Sequence, residues 1–284
     1  MSDVTVTLPE KTSPGPETLY EVKDGIATIT LNRPDRMNTI SGPMLSQVSE
    51  YFLKAERDKD VRVIIFTGTG RAFCAGLDVV GASTRTGSQA GSTNAVTGAP
   101  IPVSVTLDLK NSPPTVIYNC EKPVICALNG AAAGYGMDMA LGCDIRIMAQ
   151  SAKMAPTPVK RGIVPESGGT WVLPRLVGWE KAAEIFFTAR NLSAEESKQL
   201  GLCAHVVPDA ELMPFARKMA ADIAANAPLA VQSAKRLMKM GLSQQFNDHV
   251  HHVYMNFLQL MKTEDAREGM TAFAQKRAPD FKGR

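Results

Sequence analysis

The fold is decided by residues 129–142, NGAAAGYGMDMALG, together with the preceding run 122–128, KPVICAL. The β-branched apolar run predicts a buried strand. After it, Met137, Ala140 and Leu141 recur at helical spacing. We therefore expect a strand, a turn of small residues and the start of a helix, in that order.

The turn contains Gly130, Gly134 and Gly136, which permit backbone conformations and close approaches that a Cβ would prevent. The first turn of the following helix presents unpaired N–H groups with a partial positive charge. Such a place binds anions or developing oxyanions. The alternative is that the glycines only form a tight crossing between strand and helix.

Composition is that of a globular chain, and its 284 residues can bury a large core as one α/β domain with an appended helical part. No window approaches the roughly 18 apolar residues of a membrane span, and residues 1–16 lack the apolar core of a signal peptide. A net charge of +3 without a basic block argues against nucleic acid. Five cysteines without a CxxC pair indicate buried free thiols in a reducing cytoplasm.

Secondary structure can be predicted along most of the chain. Residues 19–32 predict a hairpin around Asp24 and Gly25, and Ser41 caps a predicted helix. A buried strand predicted at 61–67 completes a β–α–β order, which implies a parallel sheet. The segment 68–114 is long and rich in Gly, Ser, Thr and Pro, which suits a mobile lid.

Nearly everything after Asp209 predicts helix, and the Met, Ala and Leu content suggests packing on a neighbouring subunit as well as on the core. We therefore divide the chain into three parts. These are a disordered tail (1–16), an α/β core (17–208) and a helical region for oligomer contacts and pocket closure (209–284).

Three segments make the chain resemble the crotonase (enoyl-CoA hydratase/isomerase) superfamily over nearly its whole length. They are residues 73–78 (FCAGLD), 122–130 (KPVICALNG) and 162–173 (GIVPESGGTWVL). The resemblance implies an α/β spiral of β–β–α turns with a helical C-terminal region, assembled as a homotrimer or dimer of trimers. It also implies an acyl-CoA thioester substrate, with coenzyme A present only as part of that substrate and no separate cofactor.

The same resemblance implies contacts to CoA. The turn with Arg33, Arg36 and Met37 resembles the family's first CoA-contacting turn, where arginines suit phosphate oxygens. Phe281 and Lys282 resemble its terminal adenosine-side contact. Further CoA contacts are expected from Ala72, Ala75, Gly76, Leu77 and Asp78.

The oxyanion hole implied by the resemblance consists of the backbone N–H groups of Ala75 and Tyr135. Such a pair holds the thioester oxygen and stabilises the enolate, and losing one donor typically costs about 100- to 1,000-fold in rate. The family commonly has Gly where this chain has Tyr135, so we expect the tyrosine side chain to narrow or line the acyl pocket.

Hydratases of the family usually carry two glutamates, which activate one water and pass a proton to the α-carbon. Here Asp138 stands at the first position and Pro158 at the second. Glu166 stands where dienoyl-CoA isomerases and other relatives carry an acid. We predict that Glu166 is the principal acid/base and Asp138 the secondary one. The alternatives are a carboxylate facing a helix dipole for Glu166 and a structural hydrogen-bonding role for Asp138.

Other reactive residues give weaker hypotheses. The spacing of His249, His251 and His252 puts only two of them on one helix face, without a nearby acid, so we expect no metal site. Cys74 lacks a recognisable His partner, and Ser167 lacks the Gly-x-Ser-x-Gly context of a serine hydrolase.

The expected function is therefore that of a cytoplasmic enzyme of fatty acid metabolism that adds water to a trans-2-enoyl-CoA. The missing second glutamate favours an alternative, a double-bond isomerase with a single acid/base. Tyr135 and Pro158 together favour a third, an acyl-CoA-binding protein with little activity left.

Overall fold

The computed structural model describes residues 15–78 and 110–284. Most of the predicted tail (1–16) and most of the predicted lid (68–114), namely residues 1–14 and 79–109, lie outside this part of the chain. Strands β1 to β10 span Thr18–Lys23, Ile26–Leu31, Val63–Gly68, Ala72–Cys74, Val124–Leu128, Ala131–Ala133, Ile145–Ala149, Lys153–Ala155, Leu192–Ser193 and His205–Val207. Helices α1 to α10 span Gly42–Arg57, Pro113–Asn119, Tyr135–Gly142, Gly169–Val177, Trp179–Thr188, Ala194–Gln199, Leu212–Ala224, Pro228–Gly241, Phe246–Leu260 and Glu264–Gln275.

The strands form two sheets. The six-stranded main sheet has the order β1-β2-β3-β5-β7-β10, and the four-stranded small sheet has the order β4-β6-β8-β9. Within the main sheet, β1 and β2 are antiparallel and the other neighbours are parallel. The chain runs from a main-sheet strand to a small-sheet strand and then into a helix in β5-β6-α3 and β7-β8-α4, and β3 is likewise followed by the small-sheet strand β4. The predicted spiral of β–β–α turns is therefore confirmed.

The core lies between the main sheet and the helices that cover it. Strands β3 and β5 are nearly continuous buried apolar runs, because a parallel sheet is covered on both faces. Phe52 of α1, Phe66 of β3 and Phe73 of β4 form successive edge-to-face pairs with ring centroids 5.3 and 5.1 Å apart. These rings connect the two sheets to the first helix.

Several local predictions are confirmed. The first two strands pair as the expected hairpin, with Asp24 and Gly25 at positive φ in the turn. The hydroxyl of Ser41 accepts the N–H of Met44 at 3.2 Å and so caps α1. The small sheet was not predicted, because β4, β6 and β8 have three residues each and are too short to show a periodic pattern.

The C-terminal helices differ in how much they bury. Helix α7 packs on the main sheet through Leu212, Ala216 and Ala220, whereas α9 has no buried residue. None of the helices in residues 15–78 and 110–284 combines the length and the apolar character that a membrane span requires.

Candidate active site

The start of α3 lies directly against the small sheet. Gly134, with a φ of 50°, precedes the helix, and Tyr135 is its first residue. A Cβ on Gly136 would lie 2.3 Å from the carbonyl oxygen of Cys74, so only glycine allows the helix backbone this close to β4. The approach places the first N–H groups of α3 beside the residues that follow β4.

The amide groups after β4 require a correction of the predicted oxyanion hole. The Ala75 N–H already donates to the carbonyl oxygen of Met37 at 3.0 Å, so it has no hydrogen left for a ligand. Two residues on, the N–H of Leu77 donates to no acceptor in the described residues. The N–H of Tyr135 likewise has no acceptor there, since it begins a helix. The available pair is therefore Leu77 and Tyr135, not Ala75 and Tyr135.

Leu77 and Tyr135 both line one small pocket, and an acid lines it as well. The pocket is formed by the segment after β4, the start of α3 and the chain between β8 and α4. Its lining residues are Ala75, Gly76, Leu77, Gly134, Tyr135, Thr157, Pro158, Arg161, Ile163 and Glu166.

Glu166 reaches the pocket from the turn just before α4. Its side chain is exposed, so the carboxylate can exchange protons with a substrate or with water. A carboxylate at the same pocket as two unused amide donors can take a proton from a carbon or a water while the amides stabilise the resulting negative charge.

Asp138 lies behind the pocket and is only 4% exposed. A Cβ on Gly169 would be 2.1 Å from Oδ1 of Asp138, so the carboxyl is packed against the first residue of α4. Burial, supported by the charge of Glu166, raises the pKa of Asp138 to about 7, although the backbone N–H groups of Gly169 and Ser167 oppose the shift. Oδ2 has no hydrogen-bond partner among the described residues. Asp138 thus changes charge near neutral pH without lining the pocket.

A short 3-10 helix, Pro158–Arg161, supplies one wall of the pocket. Pro158, which stands where the resemblance expects a second glutamate, is buried and offers no acid or base. Thr157 and Arg161 also line the pocket, and sequence reasoning missed both. Their position in the segment just before Gly162 is the sequence feature that could have identified them.

Among the predicted CoA-contacting residues of the first turn, Arg33 already has partners within the protein. The Arg33 guanidinium donates to Asp78 at 2.9 Å and to the carbonyl oxygen of Thr39 at 2.6 Å. Since Arg33 is also paired with Glu17 at 3.5 Å, its charge is balanced within the protein. The predicted contacts of Arg33 and Arg36 with the phosphates of CoA stay predictions.

The other predicted CoA residues have clear structural positions. Met37 accepts the bond from Ala75, Ala72 is buried in β4, and the carbonyl oxygen of Ala72 accepts the side-chain amide of Asn38 at 2.8 Å. Gly76 has a φ of 102° and lines the pocket. Contact of these residues with CoA stays a prediction.

Phe281 and Lys282 lie on the tail that folds back along α10. The carbonyl oxygen of Phe281 accepts the Arg62 guanidinium at 2.5 Å, and the N–H of Lys282 donates to Asp265 at 2.6 Å. Neither residue lines the pocket that contains Glu166. Their contact with adenosine stays a prediction.

The remaining reactive side chains are placed as follows. His249 and His252 share Gln244 as a neighbour, with ring-nitrogen distances of 3.2 and 3.3 Å to its amide oxygen. Across residues 15–78 and 110–284 no three His, Cys, Asp or Glu side chains form a cluster that could hold a metal ion. Burial raises the pKa of the Cys74 thiol to about 12, which keeps it protonated at neutral pH.

Known proteins similar to this chain include hydratases and an isomerase. A family model described as enoyl-CoA hydratase/isomerase matches residues 21–284. The short-chain-enoyl-CoA hydratase of Clostridium acetobutylicum is 34% identical, over 94% of this chain and 98% of that protein. The 1,2-epoxyphenylacetyl-CoA isomerase of Escherichia coli is also 34% identical, with the same coverage of 94% and 98%. A crystal structure of an enoyl-CoA hydratase from Bacillus anthracis matches with a TM-score of 0.83 at 32% identity, over 94% of this chain and 100% of that chain.

Proposed function

The chain belongs to the enoyl-CoA hydratase/isomerase family, and we propose that it adds water to the double bond of a trans-2-enoyl-CoA. One observation carries the proposal: Leu77 and Tyr135, whose N–H groups have no acceptor in the described residues, line the same pocket as Glu166. Hydration needs these parts, because negative charge develops on the thioester oxygen while a proton moves between water and carbon.

The proposed reaction begins with the thioester carbonyl oxygen between the Leu77 and Tyr135 amides. The Glu166 carboxylate takes one proton from a water, whose oxygen then bonds to the β-carbon. The double bond shifts to give an enolate, whose oxygen the two amides stabilise. The protonated Glu166 then gives its proton to the α-carbon, which leaves a 3-hydroxyacyl thioester and the original carboxylate.

Asp138 has a supporting role in this proposal. The support is that Asp138 is only 4% exposed and that burial, together with the charge of Glu166, raises its pKa to about 7. When Asp138 is protonated, no negative charge lies behind the Glu166 carboxylate, so the two acids do not repel each other. We therefore propose that Asp138 is a positioning residue behind Glu166. This role agrees with the prediction that Asp138 is the secondary acid and Glu166 the principal one.

Isomerisation of a double bond is the second candidate. It is favoured by Pro158 and by the recessed position of Asp138, since together they leave Glu166 as the one carboxylate among the lining residues of this pocket. A single carboxylate is sufficient to move a proton from the α-carbon of a 3-enoyl thioester to its γ-carbon.

To test the two candidates, the purified protein is incubated separately with crotonyl-CoA and with trans-3-hexenoyl-CoA. The absorbance of the conjugated thioester is followed in each case. Loss of absorbance with crotonyl-CoA supports the hydratase, and product analysis would then find 3-hydroxybutyryl-CoA. A gain of absorbance with 3-hexenoyl-CoA alone would replace hydration by isomerisation. If neither signal changes while calorimetry detects acyl-CoA binding, a binding protein replaces the enzyme for these substrates.

We also propose that the protein assembles as a homotrimer or dimer of trimers in the cytoplasm. The support for assembly is α9, whose exposed apolar side chains have no cover within the chain's described residues. The support for the compartment is that Cys74, Cys120, Cys126, Cys143 and Cys203 are all buried free thiols.

A further inference from the structure

Three side chains with hydrogen-bonding groups line the same pocket as Glu166. They are Tyr135, Thr157 and Arg161, and we call them the polar wall. A pocket for a plain hydrocarbon chain is lined mainly by apolar side chains, with few polar groups. Beyond its thioester oxygen, however, a plain enoyl chain offers no acceptor for the donors of the polar wall.

Arg161 is the cationic member of the polar wall. It ends the 3-10 helix, is followed by Gly162 at a φ of 72°, and is exposed. No carboxylate or carbonyl in residues 15–78 and 110–284 pairs with its guanidinium, and even Glu166, at the same pocket, forms no salt bridge with it. A guanidinium presents five donors in a fixed fork that matches the two oxygens of a carboxylate.

Tyr135 adds a second unused donor. The residue is only 8% exposed, yet its hydroxyl has no hydrogen-bond partner within the described part of the chain. Burial, with the nearby charge of Glu166, raises the pKa of the phenol, so the hydroxyl remains a donor at any physiological pH. Because its oxygen is not among the buried unpaired side-chain atoms of the described residues, the hydroxyl is accessible and can donate to a bound ligand.

The members of the polar wall belong to segments in direct contact. A Cβ on Gly134 would lie 3.2 Å from Oγ1 of Thr157 and 3.8 Å from the ring of Pro158. The residue after Gly134 is Tyr135, and Arg161 ends the helix that begins with Pro158. Tyr135 and Arg161 therefore line one pocket from adjoining segments.

We infer that the substrate's acyl group carries a carboxylate beyond its double bond, bound by the Arg161 guanidinium with the Tyr135 hydroxyl as an additional donor. The inference rests on the proposed acyl-CoA site and names the class of acyl group. The phosphates of CoA are another source of anionic oxygen. The acyl carboxylate is favoured because Arg161 shares its pocket with Glu166 and the two amides, whereas the phosphates are a whole pantetheine arm away from the thioester.

Binding of unreactive saturated thioesters tests this inference without requiring turnover. Calorimetry compares glutaryl-CoA, which ends in a carboxylate, with 5-methylhexanoyl-CoA, its neutral isostere, and with free CoA. We expect glutaryl-CoA to bind about 10- to 100-fold more tightly than the isostere, as charge-assisted hydrogen bonds usually allow. Arg161→Leu should abolish that preference, and Tyr135→Phe, which keeps the ring and the amide, should reduce it severalfold.

Lys160→Leu is the matched control, because Lys160 is an exposed cation next to Arg161 that does not line the pocket. It should retain the preference. Equal affinities in the wild type would overturn the inference. So would an Arg161→Leu variant that loses affinity equally for both thioesters and for free CoA, since Arg161 would then contact the phosphates.

Different results would disprove the carboxylate-bearing acyl group and the proposed hydration. Hydration of crotonyl-CoA without a preference for glutaryl-CoA would leave the function standing and remove the inference. A clear preference that depends on Arg161, without turnover of any enoyl-CoA, would support the inference and remove the proposed reaction.

Discussion

Glu166 and Asp138 are carboxylic acids in contrasting environments. Glu166 is exposed and lines the pocket, whereas Asp138 is 4% exposed and packed behind it. Proton transfer needs a group that reaches the substrate, so Glu166 has the geometry of a catalytic base and Asp138 that of a neighbour that tunes it.

Replacing Glu166 with Gln tests the assignment of the base. The amide keeps the size of the side chain but cannot accept a proton, so we expect kcat to fall about 100- to 10,000-fold with little change in KM. Glu180→Gln is the control, because Glu180 is exposed at the start of α5 and does not line the pocket. Activity near the wild-type level in Glu166→Gln would show that another group moves the proton.

Asp138→Asn tests the buried acid through stability. The unfolded chain releases the Asp138 proton near pH 3.8 and the folded chain near pH 7, so the folded state binds more protons between these values. The free energy of unfolding therefore falls as pH rises through this window and is constant above it. We expect Asp138→Asn to match the wild type near pH 4 and to exceed its stability at pH 8, by up to ~4 kcal/mol.

Chemical denaturation at several pH values measures this difference. Asp222→Asn is the control, since the exposed Asp222 only pairs with Lys218 on the surface, and we expect its effect to stay within about 0.5 kcal/mol at each pH. A gap between wild type and Asp138→Asn that does not change with pH would contradict the raised pKa.

Among the structural elements, α3 depends most on glycine. It is short and almost wholly buried, and its first turn supplies the Tyr135 amide. Close packing against β4 is possible because Gly136 has no side chain, whereas Gly142 at the other end of the helix is less crowded. A glycine inside a helix usually lowers stability relative to alanine. Close packing against β4 is the reason why glycine is needed at position 136.

The two glycines of α3 form a matched pair for mutation. In Gly136→Ala the new Cβ would lie 2.3 Å from the carbonyl oxygen of Cys74, so we expect a loss of about 1–3 kcal/mol in the free energy of unfolding. In Gly142→Ala it would lie 3.6 Å from Ile117, an ordinary contact, so we expect no loss and a gain of up to ~1 kcal/mol. Urea unfolding measures both, and equal effects would contradict the close approach of α3 to β4.

Across the whole molecule, the C-terminal helices leave a large apolar surface exposed. On α9 its members are Phe246, Val250, Val253, Tyr254, Met255, Phe257 and Leu258. Exposed apolar patches of this extent mark sites of protein–protein contact. A second copy of the chain is the partner we propose for this face.

Sedimentation of the wild type and of Phe257→Glu tests the assembly. We expect the wild type to sediment as a trimer or hexamer and Phe257→Glu to dissociate at lower concentrations, because a charge would be buried at the interface. Gln259→Glu adds the same charge at an exposed polar position of the same helix and should assemble normally. A monomeric wild type at micromolar concentration would rule out the proposed assembly.

Much of the fold was predictable because it is encoded locally. The buried strands β3 and β5, the hairpin around Asp24 and the cap at Ser41 each follow from a pattern within a few residues. The three-residue strands β4, β6 and β8 were not predictable, because neighbouring strands rather than their own composition hold them in place.

The sequence by itself determined the α/β class, the spiral of β–β–α turns through its resemblance, and the segment that carries Tyr135 and Asp138. Only the tertiary structure decided that the available amide after β4 is that of Leu77, because Ala75 donates to Met37. It also decided that Tyr135 and Arg161 share a pocket with Glu166. The physical reason is that periodicity and turn chemistry are local, whereas the availability of a donor depends on partners distant in the chain.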